Sequence, residues 1–218
     1  NLYSKDNGLK TPYGQIVNDS DRYNKVWDRV CKISNLQKIK KNVEEYNLKQ
    51  KEVGSPLRKG LSSTLIKFGI SFNKTELNQA DALVHVYTDG SIRLGHGGTE
   101  MGQGLFIKIA QVVADVFSVS IDRIELATTT TSEVPNTSAT AASSGSDING
   151  MAAYDAAIKI KKRMAKVASQ HFEAPIKEIY FEDELIKCTN KTISFAELAQ
   201  LTWSKRVSLS STGFYKTP

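Results

Sequence analysis

Apolar residues near the start of the chain recur at helical steps. Tyr23, Val26, Trp27, Val30 and Ile33 follow one another at three- and four-residue intervals, which collects them on one helix face. A helix is therefore expected from Asp19, with Asp19 or Ser20 as cap, to about Glu52. Ser34-Asn35 breaks the pattern, Leu36 to Leu48 resumes it, and Gly54-Ser55-Pro56 ends the pair. The texture then turns to β-branched and aromatic residues. Gly60 to Phe72 reads as strand, and Ala82 to Thr88, the Asp89-Gly90 turn and Ser91 to Leu94 read as a hairpin with His85 as a sheet residue. A glycine-rich loop, Gly95 to Gly104, leads into a helix from Leu105 to Phe117, followed by a strand from Ile121 to Ala127. A Ser/Thr-rich stretch, Thr128 to Ser146, opens into a helix from Ile148 to His171. Short strands at Ile179-Phe181 and Leu185-Cys188, a helix from Ser194 to Thr202 and a strand from Val207 to Phe214 complete the chain. The fold class expected is α+β, with helices and strands interleaved. Residues 1–58 form a helical lead-in segment and residues 59–218 the α/β portion.

Composition narrows the chemistry. With 218 residues the chain is large enough for a sizeable core. No apolar run approaches the roughly 20 residues that span a bilayer, so no membrane is expected. The polar opening lacks the apolar core of a signal peptide, and a start at Asn1 rather than Met suggests a fragment. Cys31 and Cys188 suit reduced thiols in a cytoplasmic protein. His85, His96 and His171 share no metal-ligand spacing, so any metal must arrive inside a cofactor. The net charge of +6 gathers on Lys38-Lys40-Lys41 and Lys159-Lys161-Lys162-Arg163-Lys166. Aromatics do not interleave with these residues, which favours solvated helix faces over a nucleic-acid surface.

Two strand-to-helix loops carry the signal. Glycines at 95, 97, 98, 102 and 104 permit positive φ and close approach of a ligand to peptide N–H groups. The helix start that follows offers unpaired donors and a positive dipole end, which together favour an anion. The second loop, Thr137 to Ser146, offers hydroxyls and small residues before another helix start. The spacing is neither a dinucleotide fingerprint nor a P-loop, so tight turns between packed elements remain an equal reading on these grounds.

The wording of the loops goes further. Gly97-Gly98-Thr99-Glu100-Met101-Gly102-Gln103-Gly104 resembles the pterin-contacting segment of molybdenum hydroxylases of the xanthine dehydrogenase family. Val134 to Ser138, Thr140 to Ser143, Asp147 and Asn149-Gly150 resemble that family's second cofactor loop. Lys67 to Phe72, Leu77 to Ala80 and Ser210 to Pro218 match as well, so the resemblance covers most of the chain from Lys59 onward. It implies a partial molybdenum-cofactor-binding domain in which Met101, Gly102, Gln103 and Gly104 line the cofactor. Ser143, Ser144 and Ser146 would donate to the pterin and its phosphate, and Ala142 would stand beside the metal without ligating it. The cofactor would be molybdopterin, with or without a cytosine dinucleotide.

The resemblance also implies a reaction: oxidation of a purine or related N-heterocycle with water as oxygen source. Phe72 would set an aromatic ring against the substrate, and Asn73 beside it departs from the threonine usual in purine-oxidising relatives. Without the resemblance, Phe72 reads as a core residue at a strand end. No catalytic residue is expected within the chain, because the family's general-base glutamate belongs to a part outside it, and Glu100 reads as a structural loop acid. The isolated chain is expected to be inactive. Partners implied are the rest of the molybdenum subunit, 2Fe-2S and FAD domains or subunits, and a dimer of the assembly. Alternatives are an aldehyde oxidase-like enzyme, a non-catalytic anion- or nucleotide-binding module, and a basic interaction domain.

Overall fold

The computed structural model describes residues 10–11, 14–17, 21–66, 68–134 and 137–218. Asp19 and Ser20, expected as a helix cap, lie outside the described residues, as do Lys67 and Pro135-Asn136 of the matching motifs. The chain divides into two compact units, 1–68 and 69–218. In the first unit α1 (Arg22–Ser34) and α2 (Leu36–Glu52) are separated by Asn35, whose φ of 50° breaks the helical path. Asparagine tolerates this left-handed conformation better than most side chains. The break falls where the apolar periodicity stops.

The strand expected from Gly60 to Phe72 is absent: residues 60–66 and 68–72 have no ladder. β-Branched residues favour a strand only where a partner edge supplies hydrogen bonds. The edge beside the hairpin is taken by a strand from the far end of the chain.

The second unit is a four-stranded sheet packed on a long helix, with a small sheet alongside. β1 (Gln79–Val86) and β2 (Ile92–His96) form the expected hairpin, β3 (Ile124–Leu126) joins β2 in parallel, and β7 (Ser210–Lys216) joins β1 antiparallel. The order β3-β2-β1-β7 follows. The expected strand from Ile121 begins instead as a 3-10 turn over Ile121–Arg123. β1 alternates half-buried and buried along its length, the period-two pattern of a one-sided sheet. α3 (Leu105–Phe117) and α4 (Gly145–Phe172) pack together, and α4 lies along β1 and β7. A row of alanines, Ala152, Ala153, Ala156 and Ala157, is fully buried there. Gly213 of β7 comes so close that a Cβ would run into the Ala152 carbonyl and the Ala156 amide. Phe117 and Phe195 meet at 5.5 Å between ring centroids and join this core to α5 (Phe195–Ser204). β4 (Tyr180–Glu182), β5 (Leu185–Cys188) and β6 (Lys191–Ser194) form the small sheet. β6 escapes the sequence reading because Lys191 and Thr192 are exposed and leave no alternation. No helix among the described residues is long and apolar enough to cross a membrane.

Candidate functional site

The glycine-rich loop runs from β2 to α3 and closes upon itself. The Glu100 carboxylate accepts the backbone N–H groups of Gly102 at 2.8 Å, Gly104 at 3.0 Å and Phe106 at 3.1 Å. These bonds, that of Phe106 foremost, hold its carboxyl below the usual carboxylate range. The Gln103 amide oxygen accepts Met101 N–H at 2.6 Å, and its nitrogen donates to the Thr99 carbonyl at 2.9 Å. Gly102 (φ 96°) and Gly104 (φ 72°) supply left-handed turns that a side chain would strain. The anion seat expected at the start of α3 is thus filled by Glu100 itself, because a carboxylate six residues before Phe106 can fold back onto the orphan donors.

The second loop, between β3 and α4, is built against the first. Thr137 fills the space where a Cβ on Gly97 would stand, and Leu105 lies 2.6 Å from the corresponding point on Gly98. Thr140 Oγ1 accepts Thr99 N–H at 2.8 Å, and the Thr129 hydroxyl donates to the Gly98 carbonyl at 3.0 Å. Below them lies His96, buried, with Nδ1 accepting Gly98 N–H at 3.2 Å and the ring edge-on to Phe106 at 4.9 Å. Burial pushes its imidazole down to about 4, so it is neutral at physiological pH.

At the tip of the second loop Ala142 (φ 53°) and Ser143 (φ 55°) are left-handed in succession. Non-glycine residues in this region cost about 1 kcal/mol or more each and gather at ligand sites. Ser144 is fully buried, and both its N–H and its hydroxyl go to the Ala141 carbonyl, at 3.3 and 3.1 Å. Ser144 caps α4 without a side-chain hydrogen bond to the first turn. Among the described residues, no carboxylate accepts from the opening N–H groups of α4 as Glu100 does at α3. Asn149 Nδ2 donates to the Gly145 carbonyl at 2.9 Å, while its buried Oδ1 has no partner.

Between the two loop tips lies a cleft of about 360 Å³, lined by Met101, Gln103, Thr140, Ala142, Ser143 and Ser146 among others. The structure thus brings together five of the residues singled out in the sequence. Gly102 and Gly104 shape the adjoining turn, and Ser144 lies beneath with its donors engaged. Ser71 donates its N–H to the Ala142 carbonyl at 2.9 Å, which sets half-buried Phe72 one residue from this contact. Asn73 is exposed. Sequence reading missed Thr140 and Thr129 as loop ties, His96 as support and Asn78 as a partner of Phe72; only the hydroxyl run hinted at the first two. Two larger clefts, about 610 Å³ beside Trp203 and about 590 Å³ beside Asp183, share no residue with the loops.

A family model described as a molybdopterin cofactor-binding domain matches residues 29–218. The chain belongs to this family. A xanthine dehydrogenase of Blastobotrys adeninivorans is 40% identical over 208 residues, covering 95% of this chain and 13% of that protein. A nicotinate hydroxylase of Emericella nidulans is 36% identical over 219 residues, covering 100% of this chain and 14% of that protein. The crystal structure of quinoline 2-oxidoreductase from Pseudomonas putida 86 superposes with a TM-score of 0.65 at 16% identity, over 98% of this chain and 29% of that one. The chain therefore spans about one seventh of these curated relatives. Its mixed helix-and-sheet architecture is that of the molybdopterin-binding domain. The cleft's carboxamide, hydroxyls and small side chains form a donor set that fits a flat polar cofactor. No carboxylate lines the cleft, and among the described residues no His, Cys, Asp or Glu cluster can hold a metal ion.

Proposed function

We propose that this chain forms one wall of the molybdenum-cofactor site in a xanthine dehydrogenase-like hydroxylase. The longer protein oxidises a purine or related N-heterocycle with water as oxygen source. The observation that carries this reading is the left-handed Ala142–Ser143 pair facing Met101 and Gln103 across the cleft at the start of α4. When bound, the cofactor supplies two-electron redox chemistry at molybdenum. Met101, Gly102, Gln103 and Gly104 hold one edge of the pterin; Gln103 keeps its loop folded and has a second amide hydrogen and lone pair to offer. Ser143 and Ser146 face the phosphate end, where the N-terminal end of α4 and its dipole favour negative charge. Ser144 acts from beneath, fixing the tip through Ala141. The methyl group of Ala142 leaves room for the metal's own ligands. Phe72 orients the flat substrate and Asn73 offers an amide beside it.

The general base, the 2Fe-2S and FAD centres that accept electrons, and the second copy of a dimer belong to the rest of a cytoplasmic assembly. The isolated chain has no turnover. The nicotinate hydroxylase relative and the carboxamide of Asn73 together favour a second substrate class, a small carboxylated N-heterocycle. Two substitutions in the full-length protein test the reading, with molybdenum measured by mass spectrometry. Gln103→Ala lowers molybdenum content, and activity falls in proportion. Phe72→Ala keeps the metal and lowers kcat/KM by about 5- to 150-fold. Absence of molybdenum from the purified wild-type protein refutes the proposal in favour of an anion-binding module.

A further inference from the structure

The geometry points to Asn78 as the positioning residue that holds Phe72 at the substrate; this rests on the reading of Phe72 above. Asn78 is 3% exposed, at the end of a 3-10 turn and next to the first residue of β1. Its side chain makes both available kinds of contact with one residue. Oδ1 accepts Phe72 N–H at 2.8 Å, and Nδ2 donates to the Phe72 carbonyl at 2.8 Å. A carboxamide clasping the N–H and C=O of a single residue fixes that residue's orientation at two points, as a pair of strand hydrogen bonds would. Residues 73–77 between them are all exposed and contribute little packing of their own.

The clasp has a firm base and a counterweight. The Asn78 backbone carbonyl accepts Thr217 N–H at 3.0 Å beside the end of β7, a bond that any side-chain substitution leaves in place. On the other side of Phe72, Ser71 is left-handed (φ 77°) and donates to Ala142 of the second loop at 2.9 Å. Phe72 therefore hangs in a short strap anchored to the sheet at one end and to the cleft at the other. No ladder holds residues 68–72, so the Asn78 amide replaces the strand pairing that the local sequence leads one to expect. A substrate ring is useful only when its angle is fixed, because misplacement of a reactant by about 1 Å costs up to 100-fold in rate.

The test is a double-mutant cycle in the full-length, molybdenum-loaded protein, with xanthine and nicotinate as probes. Asn78→Ala should lower kcat/KM per molybdenum atom by roughly 5- to 30-fold, the factor for losing a buried two-point contact. In the Phe72→Ala background it should cost less than about twofold, because the ring it positions is gone. Asn78→Asp keeps the acceptor for Phe72 N–H but turns a carboxylate oxygen toward the Phe72 carbonyl. It should therefore lose at least as much as Asn78→Ala when Phe72 is present and little when it is absent, and it carries the cycle if Asn78→Ala yields no soluble protein. An equal loss in both backgrounds, or no loss in either, overturns the role of Asn78 while leaving Phe72 in place. Unchanged kcat/KM in Phe72→Ala alone, or wild-type turnover of neither probe, overturns the underlying substrate reading instead.

Discussion

Ser71 and Ala142 stand 71 positions apart in sequence yet share a backbone hydrogen bond of 2.9 Å, and both are left-handed. The bond joins the segment that carries Phe72 to the tip of the loop between β3 and α4. The backbone that would present the substrate ring is thereby tied to the backbone beside which the metal would sit. Strained residues at both ends of one bond are the expense of a fixed geometry, sustained by the packing around it.

Ala142→Val places a β-branched side chain at φ 53° and adds bulk to the lining of the cleft. The full-length variant should lose at least half of its molybdenum, and the remaining activity should track the metal. Ala142→Gly, which relieves the strain, should retain it. Metal analysis of the two proteins side by side decides this.

Glu100→Gln removes the charge that accepts three backbone N–H groups at the start of α3. Molybdenum content should fall while kcat per molybdenum atom stays unchanged, because the carboxylate organises a loop and touches no reacting group. Its carboxyl is held below its ordinary value, so the stabilisation is complete above the unfolded value of 4.5 and is lost as pH falls through the folded one. Loss of kcat at full metal loading would promote Glu100 to a catalytic role.

His96 weakens the fold in the same direction, on acidification, but over a higher pH window. Its imidazole is depressed from 6.5 to about 4 by burial, so between those values the unfolded chain binds a proton that the folded chain refuses. Stability is full above pH 6.5 and falls as pH drops through that window, by up to about 3 kcal/mol. Protonation of Nδ1 would also remove the acceptor for Gly98. His96→Gln should flatten this part of the stability curve, measured by denaturant titration at pH 7 and pH 5.

Gly213→Ala drives a methyl group into the backbone of α4. Separation of β7 from that helix should destabilise the protein by about 2 kcal/mol or more, seen as a lower Tm. Gly60→Ala, with nothing within 4 Å of its Cβ, is the control and should change Tm little.

Most elements were legible before the fold. The apolar steps of α1 to α4, the Asp89-Gly90 turn and the alternation of β1 are local signals, and each element formed within a few residues of its reading. Local pattern misled where partners decide. Gly60 to Phe72 has strand composition but no ladder, whereas Lys191–Ser194 has weak composition and pairs with β5. The site divides in the same way. The resemblance of the two loops to a known family marked Met101, Gln103, Ala142, Ser143 and Ser146, whereas the glycine and small-residue runs before helix starts by themselves left an anion seat and tight turns as equal readings. Glu100 already read as a structural loop acid, but only tertiary structure could assign it its three N–H donors, Thr137 the space over Gly97, Ser144 the interior and Asn78 its contact with Phe72. Those roles depend on which donor meets which acceptor across a chain already folded. A buried hydrogen bond is satisfied by proximity in space, to which sequence separation is blind.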